Sequence, residues 1–156
     1  MKEKKILSFN AEELREYESN RYPFLLIDRV TECVPGKYAK GYKNLTNNEW
    51  FFPKHYPGHS MMPGVLQVEA LSQMFRVALT TMDELDDVYA VVADMKAKFI
   101  KEVHPGDRLD IDAEVKSYAR GVGRGLVKGY VDGSLACVTE LTMIFPAVFN
   151  IYQPKK

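Results

Sequence analysis

Hydrophobic and polar positions along this chain follow two different periods, and each period predicts one kind of element. From Val65 to about Thr81 the apolar side chains cover most of a helical circumference, which is the pattern of a helix buried on nearly all sides. Pro63 suits the first helical turn, so this helix is predicted over about residues 63–81. From Arg108 to Tyr118 apolar and polar residues alternate, which is typical of a half-buried strand.

Strand patterns occur on both sides of this helix. The further predicted strands are Phe24–Val34, Tyr38–Leu45, Val88–Ile100, Val122–Val131 and Leu135–Phe145. Asp132 and Gly133 form a strong two-residue hairpin signal between the last two. Thr46–Met62 has no clean period and is predicted to be a long loop, which in a compact domain is often functional.

Near the start of the chain, Asn10 and Glu13 resemble a capping box and predict a short helix over about residues 11–17. One long apolar helix and a run of hairpin-connected strands indicate an α+β fold, with an antiparallel sheet wrapped on the helix. Because there are no repeats and no linker, we expect one domain over residues 1–156.

Composition narrows the function classes. The chain has 156 residues, of which 46% are hydrophobic and 27% charged, and its 21 Lys and Arg balance its 21 Asp and Glu. This balance does not favour nucleic-acid binding, and no apolar run approaches the roughly 18 residues of a membrane span. The two cysteines, Cys33 and Cys137, lack metal-site or disulfide spacing. We therefore expect a cytoplasmic protein without a metal.

Candidate chemistry is concentrated between His55 and Gln73. His55 lies in a loop rich in Pro and Gly, and Glu69 lies inside the apolar helix, where a carboxylate is expensive without a partner or a role. A base and an acid in contrasting environments are suited to proton transfer on a small substrate. Taken alone, His55 is more simply a surface loop residue, and Glu69 with Gln73 a satisfied buried polar pair.

Several ordered segments resemble the FabZ-type β-hydroxyacyl-acyl-carrier-protein dehydratases, which have the hotdog fold. The resemblance covers roughly residues 20–145. Its segments are Arg21–Val30, Lys43–Thr46, Asn48–Phe52, His55–Gly58, Met62–Leu66, Glu69–Ala70 with Gln73, His104–Asp107 and Gly129–Gly133. A signature of this length, in order, is far more specific than one short motif. It favours catalysis by His55 and Glu69 over the simpler interpretations.

The resemblance implies a (3R)-hydroxyacyl dehydratase without a cofactor. His55 would remove the α-proton and Glu69 would protonate the leaving hydroxyl, the two coming from different subunits of a homodimer. The resemblance also implies a trimer of such dimers. Gly64 and Val65 at the helix start would bind the thioester, because backbone N–H groups there can stabilise enolate charge. Gln73, one turn beyond Glu69, would orient its carboxyl group.

Two positions depart from the family pattern. Lys54 stands where the family usually has Gly before the histidine, and Ser60 replaces a usual Pro. Neither is one of the acid–base pair, so the reaction is expected to be retained while the substrate range is left open. The chain after Phe145 has no counterpart in the resemblance.

A cluster of basic residues follows the helix. Lys96, Lys98 and Lys101 are interpreted either as a solvated strand face or as a docking surface for an acidic acyl carrier protein with its phosphopantetheine-linked acyl chain. Two other functions also stay open. One is a hotdog acyl thioesterase, which would not need His55, and the other is a non-catalytic subunit that binds acyl carrier protein.

Overall fold

The computed structural model describes residues 5–85 and 88–154. Residues 1–4, 86–87 and 155–156 lie outside the described part, and with them the end of the acidic stretch that begins at Asp83. All six predicted strand ranges and the long helix lie entirely inside it.

Seven strands form a single antiparallel sheet among the described residues. They are β1 (Leu7–Phe9), β2 (Arg29–Val34), β3 (Tyr38–Asn44), β4 (Val91–Phe99), β5 (Arg108–Ala119), β6 (Val122–Val131) and β7 (Ser134–Ile144). Their order across the sheet is β1-β2-β3-β5-β6-β7-β4. The strand β4, although central in the sequence, therefore lies at one edge of the sheet.

The long helix α1 (Gly64–Thr80) packs against the strands of this sheet. The buried side chains Leu71, Met74, Phe75 and Leu79 of α1 belong to one core together with residues of the sheet. This arrangement confirms the predicted α+β fold with an antiparallel sheet around a long helix. The helix is not buried on every side, however, because Val65 is 73% exposed.

The predicted strand over residues 24–34 is too long at its start, since β2 begins only at Arg29. The reason lies in the hydrogen bonds of the preceding backbone. Gln73 Oε1 accepts from the N–H of Leu26 at 2.8 Å, and Gln73 Nε2 donates to the carbonyl of Phe24 at 2.8 Å. The side chain of Gln73 thus binds backbone groups that would otherwise pair with a neighbouring strand.

The predicted short helix is also different from the observed element. The hydrogen bonds of the capping box form, because the side chain of Asn10 accepts from the N–H of Glu13 at 3.0 Å and Glu13 returns a bond to the N–H of Asn10. The helical turn that follows is a 3₁₀ helix, Glu13–Glu16. Short 3₁₀ pieces of this length are common connectors.

The hairpin predicted at Asp132-Gly133 is present between β6 and β7, and both residues have positive φ angles, 50° and 76°, as a tight hairpin turn requires. The strand β1 and the short helix α2 (Pro146–Phe149) were not predicted. Within the described ranges, no helix is long and apolar enough to cross a membrane.

Candidate active site

The start of helix α1 presents two backbone donors. The N–H groups of Leu66 and Gln67 donate to the carbonyl of Pro63, whereas no described residue accepts a hydrogen bond from the N–H of Gly64 or Val65. A Cβ at Gly64 would lie 2.9 Å from the ring of Phe99. Glycine therefore allows this ring to pack against the helix start, next to two free donors.

Glu69 lies one and a half turns further along the same helix and is half-buried. Its Oε1 accepts from Gln73 Nε2 at 2.9 Å, and its Oε2 lies 3.4 Å from the hydroxyl of Ser72. The spacing of four residues places Gln73 one turn away on the same face, as the sequence predicted. The carboxyl group is thus held from one side and open towards a cleft.

Gln73 is itself fixed by the segment before β2. Only 2% of Gln73 is exposed, and besides Glu69 its amide contacts the backbone of Phe24 and Leu26. The bond from Leu26 settles the orientation of the amide, because a backbone N–H must meet Oε1 and not Nε2. Nε2 therefore faces Glu69 as a donor.

His55 is half-buried in the loop before α1. Its Nδ1 lies 3.1 Å from the carbonyl oxygen of Met61, and its backbone carbonyl accepts from the N–H of Met61 at 2.9 Å. Because a carbonyl only accepts, Nδ1 carries the hydrogen, and in the neutral ring Nε2 keeps its lone pair. The ring also stacks on Tyr56, with 4.2 Å between the centroids.

The loop that carries His55 is tied to the segment between β4 and β5. Glu102 Oε2 lies 2.9 Å from Nε2 of His59 and 3.4 Å from Nε2 of His104. The Nδ1 of His104 donates to the carbonyl of Ser60 at 2.8 Å. These four residues, His59, Ser60, Glu102 and His104, are called the loop clamp below.

The two candidate catalytic side chains do not share either of the two clefts beside α1. A cleft of about 310 Å³ is lined by Glu69, Ser72 and Gln73, but His55 is not part of its wall. Gly64 lines another cleft of about 310 Å³, with Met61 and Phe99, and His55 is not part of that wall either. Neither cleft therefore contains both the candidate acid and the candidate base.

Two residues beside Glu69 were not identified from the sequence. The side chain of Glu18 is fully buried, and its Oε2 lies 3.9 Å from Nε of Arg76. Both residues line the cleft beside Glu69. Burial raises the pKa of Glu18, while its bonds with Asn20 and the charge of Arg76 oppose that rise. The only sequence signal was an arginine that interrupts the apolar helix pattern.

The predicted basic cluster is divided by the fold. Lys96 lies on β4 opposite Glu140 of β7 and lines a cleft with Lys116. Lys101 lines the cleft that contains Gly64, and Lys98 lies on β4 between them in sequence.

The structure shows the positions of the two departures from the family pattern and of the two cysteines. Lys54 is exposed, and Ser60 contributes its carbonyl to the loop clamp. Cys33 and Cys137 are both buried and free. Burial raises the pKa of the Cys137 thiol to about 11, so this thiol is protonated at neutral pH and unsuited to nucleophilic chemistry.

Comparison with known proteins relates this site to one family. A family model described as a FabA-like domain matches residues 19–140. The chain is 45% identical over 133 residues to the 3-hydroxyacyl-[acyl-carrier-protein] dehydratase FabZ of Bacillus licheniformis, covering 85% of this chain and 92% of the relative. It is 43% identical over 136 residues to the enzyme of the same name from Clostridium novyi, covering 86% and 96%.

Among solved structures, the dehydratase heterocomplex ApeI:P from Xenorhabdus doucetiae matches with a TM-score of 0.73 and 13% identity, covering 90% of this chain and 97% of that chain. At this identity the match concerns the fold alone. It agrees with the hotdog arrangement of sheet and helix described above.

Proposed function

This chain belongs to the FabA-like family, and we propose that it is a 3-hydroxyacyl-[acyl-carrier-protein] dehydratase that converts (3R)-hydroxyacyl thioesters to trans-2-enoyl thioesters. The observation that carries the proposal is the match at 45% identity, over 92% of its length, to a dehydratase of that name. The matched family region includes His55, Gly64, Glu69 and Gln73. The described residues share one sheet and one core, so we assign the activity to one domain.

The first step is removal of the α-proton by His55. Its Nδ1–H is engaged by the carbonyl of Met61 at 3.1 Å, so Nε2 is the nitrogen with a lone pair available for the proton. The electron pair of the broken C–H bond moves towards the thioester carbonyl. His55 thereby becomes an imidazolium, and the substrate gains enolate character.

The enolate oxygen needs hydrogen-bond donors that are already in place. The N–H groups of Gly64 and Val65 have no acceptor among the described residues and stand at the positive end of α1. Preorganised backbone donors of this kind stabilise developing oxyanion charge. This supports Gly64 and Val65 as the substrate-binding start of the site.

Glu69 completes the elimination. The C–O bond at the β-carbon breaks, its oxygen takes a proton from Glu69 and leaves as water, and the electron pair of the enolate forms the C=C bond. Gln73, whose Nε2 lies 2.9 Å from Glu69 Oε1, orients the carboxyl group. The proton on His55 returns to Glu69 through solvent, so the step is balanced without a redox partner or cofactor.

We further propose that two protomers share each active site, because neither cleft beside α1 is lined by both His55 and Glu69. The strand β4 lies at the sheet edge, and Val91, Val92 and Phe99 on it are between 41% and 55% exposed. An edge strand with exposed apolar residues is a template for pairing with another strand. A symmetric dimer through β4 would cover these residues. Three such dimers would form a hexamer.

The acyl group would be delivered by an acidic carrier protein. Lys101 lines the cleft at Gly64, and Lys98 lies on the same edge strand, so a carrier bound there would present its thioester to the helix start. Charge reversal at Lys98 and Lys101 should raise KM for carrier-bound substrate and leave a short thioester unaffected. Lys96, opposite Glu140, is a weaker member of this surface. A cytoplasmic location fits this function.

The decisive experiment measures absorbance of the enoyl thioester formed from hydroxyacyl carrier substrates of several lengths. Appearance of the product with wild-type protein, and its loss with His55→Ala, supports the dehydratase. A thioesterase would instead release free thiol, and His55→Ala would retain that activity. A non-catalytic subunit would bind the carrier and give neither enoyl product nor reverse hydration of a crotonyl thioester.

A further inference from the structure

The cleft beside Glu69 continues past the proposed reacting group to a buried pair of opposite charges. Glu69, Gln73 and Arg76 follow one another on the same face of α1, and Glu18 closes the cleft from the N-terminal segment. The cleft measures about 310 Å³, which is within the range of small-molecule sites. Arg76 therefore lines the part of the cleft that an acyl chain extending beyond Glu69 would enter.

Arg76 has unused hydrogen-bonding capacity. Its side chain is only 12% exposed, yet its one hydrogen bond among the described residues is a long one, 3.5 Å from Nη2 to the carbonyl of Val88. Its Nε has no hydrogen-bond partner there. The two Nη groups carry four of the five N–H donors of a guanidinium, and they make only that one bond among the described residues. An acceptor supplied by a ligand could bind these donors.

Glu18 explains why Arg76 stays in this position. The carboxylate is locked by Asn20, whose backbone N–H and side-chain amide both donate to Glu18 Oε1 at 2.8 Å. Its Oε2 has no hydrogen-bond partner and lies 3.9 Å from Nε of Arg76. The attraction holds the guanidinium from the Nε side. It leaves the Nη groups as the donors that a ligand can meet.

We propose that Arg76 is a specificity-determining residue, which selects acyl groups that carry a hydroxyl or carbonyl oxygen beyond the β-carbon. The inference rests on the proposed dehydratase function and adds the substrate class. A plain alkyl chain would leave the Nη groups with only the long bond to Val88, whereas an oxygenated chain would provide a further acceptor. Discrimination follows from this difference.

The order of groups along α1 places Arg76 on the acyl side of the reacting carbons. At 1.5 Å per residue, Arg76 lies about 10 Å beyond Glu69 along the helix, and both residues line one cleft. With the β-hydroxyl at Glu69, an acyl chain that follows this cleft beyond the β-carbon runs towards Arg76.

A second cleft begins where this one ends. It measures about 240 Å³, and its wall includes Arg15 and Arg21 as well as Arg76 and Tyr89, which line both clefts. A chain whose oxygen reaches Arg76 would thus have room for its remaining carbons. Three arginines against one carboxylate, Glu16, leave this wall net positive, which favours an oxygen acceptor over a donor such as an ammonium group.

The test compares hydroxyacyl thioesters of one chain length that differ only in a second hydroxyl or keto group, placed at successive carbons beyond the β-carbon. Wild-type protein should show kcat/KM about 10- to 100-fold higher for the oxygenated substrate at the favoured position. In Arg76→Met the ratio between the two substrates should fall to near one, mainly through KM. Arg108→Met, which removes an exposed guanidinium elsewhere, should leave the ratio unchanged.

Arg76→Met could fail to fold because it removes the charge opposite Glu18, so Arg76→Lys is tested as a second variant. Lysine keeps that charge but lacks the planar set of donors. It should retain part of the ratio. An unchanged ratio in both variants, or an equal loss for both substrates, would mean that Arg76 only pairs with Glu18 and would overturn the inference.

The amide carbonyls of a pantetheine arm offer the same chemistry, so the plain substrate is also tested with a full arm and with N-acetylcysteamine. An effect of Arg76→Met that appears only with the full arm would overturn the assignment to the acyl chain. If wild-type protein forms no enoyl product from any of these substrates, the proposed function itself is wrong. That outcome differs from active protein without discrimination, which contradicts this inference alone.

Discussion

The side-chain amide of Gln73 donates a hydrogen bond to the carboxyl group of Glu69 at 2.9 Å. The same amide accepts from the N–H of Leu26 at 2.8 Å. One buried side chain thus fixes the position of Glu69 and also replaces a strand partner for the backbone before β2. We therefore propose that catalysis and stability are coupled at Gln73.

Replacing Gln73 with Ala should lower both the free energy of unfolding and kcat. We expect a decrease of about 1–3 kcal/mol in the free energy of unfolding, because the N–H of Leu26 loses its buried acceptor. We expect kcat to fall about 10- to 100-fold, because Glu69 is no longer oriented. Urea titration and the enoyl assay measure the two effects.

Thr139→Val is the matched control, because the buried hydroxyl of Thr139 bonds to the carbonyl of Lys96 at 3.3 Å, away from Glu69. It should cost stability with little change in kcat. If Gln73→Ala retained the wild-type kcat in folded protein, Gln73 would have no orienting role.

Sharing of the active site between protomers can be tested by complementation. His55→Ala and Glu69→Ala should each lower kcat by about 10²–10⁴-fold. Refolding the two variants together should restore about one quarter of the wild-type activity, because half of the dimers are mixed and each mixed dimer has one intact site. The enoyl assay before and after mixing measures the recovery.

A negative control is His55→Ala mixed with the double variant His55→Ala/Glu69→Ala, in which every site lacks its histidine. Failure of the first mixture to exceed this control, with mixed dimers confirmed by mass, would argue that both groups act within one chain.

The loop clamp should hold His55 in place. Glu102→Gln removes the carboxylate that lies 2.9 Å from His59 and 3.4 Å from His104. Because these contacts are partly exposed, we expect the free energy of unfolding to fall by about 1 kcal/mol or less. We expect faster amide exchange in residues 55–62 and kcat/KM about 3- to 10-fold lower, since the base is less well positioned.

Glu114→Gln, which removes an exposed partner of Lys116, provides the comparison. Hydrogen exchange that is equally slow in residues 55–62 of Glu102→Gln and wild type would contradict the clamp.

Glu18 should make stability depend on pH. Burial raises its pKa above the ordinary 4.5, although Arg76 opposes the rise. The folded protein therefore binds more protons than the unfolded chain as pH increases from about 4.5 to the raised value. The contribution of this group to the free energy of unfolding decreases across that pH window and is constant above it. Glu18→Gln should not show this decrease, so its stability relative to wild type should increase as pH rises.

Urea unfolding of both proteins at a series of pH values from 4 to 8 measures the difference, with the exposed Glu16→Gln as a control for charge removal. Parallel pH profiles for wild type and Glu18→Gln would show that the carboxyl group is not perturbed by burial.

The strongest local patterns in the sequence predicted the fold well. The apolar run that became α1 (Gly64–Thr80) has helical spacing over its whole length, and Asp132-Gly133 has the backbone preference that a tight hairpin needs. Prediction failed where the backbone hydrogen bonds of a segment are made with residues far away in the sequence. The segment 24–28 has strand-like composition, but Gln73 binds its backbone, and no local pattern records a partner 47 residues away.

For the candidate site, too, some residues were predicted from the sequence and others emerge only from the structure. Residue type and order, through the resemblance to one family, predicted His55, Gly64, Glu69 and Gln73 as a set, and the structure describes the contact between Gln73 and Glu69. The sequence by itself could not pair Glu18 with Arg76, place β4 at the sheet edge or join the loop clamp. These contacts depend on burial and on distances between remote segments, and only the packed tertiary structure fixes both.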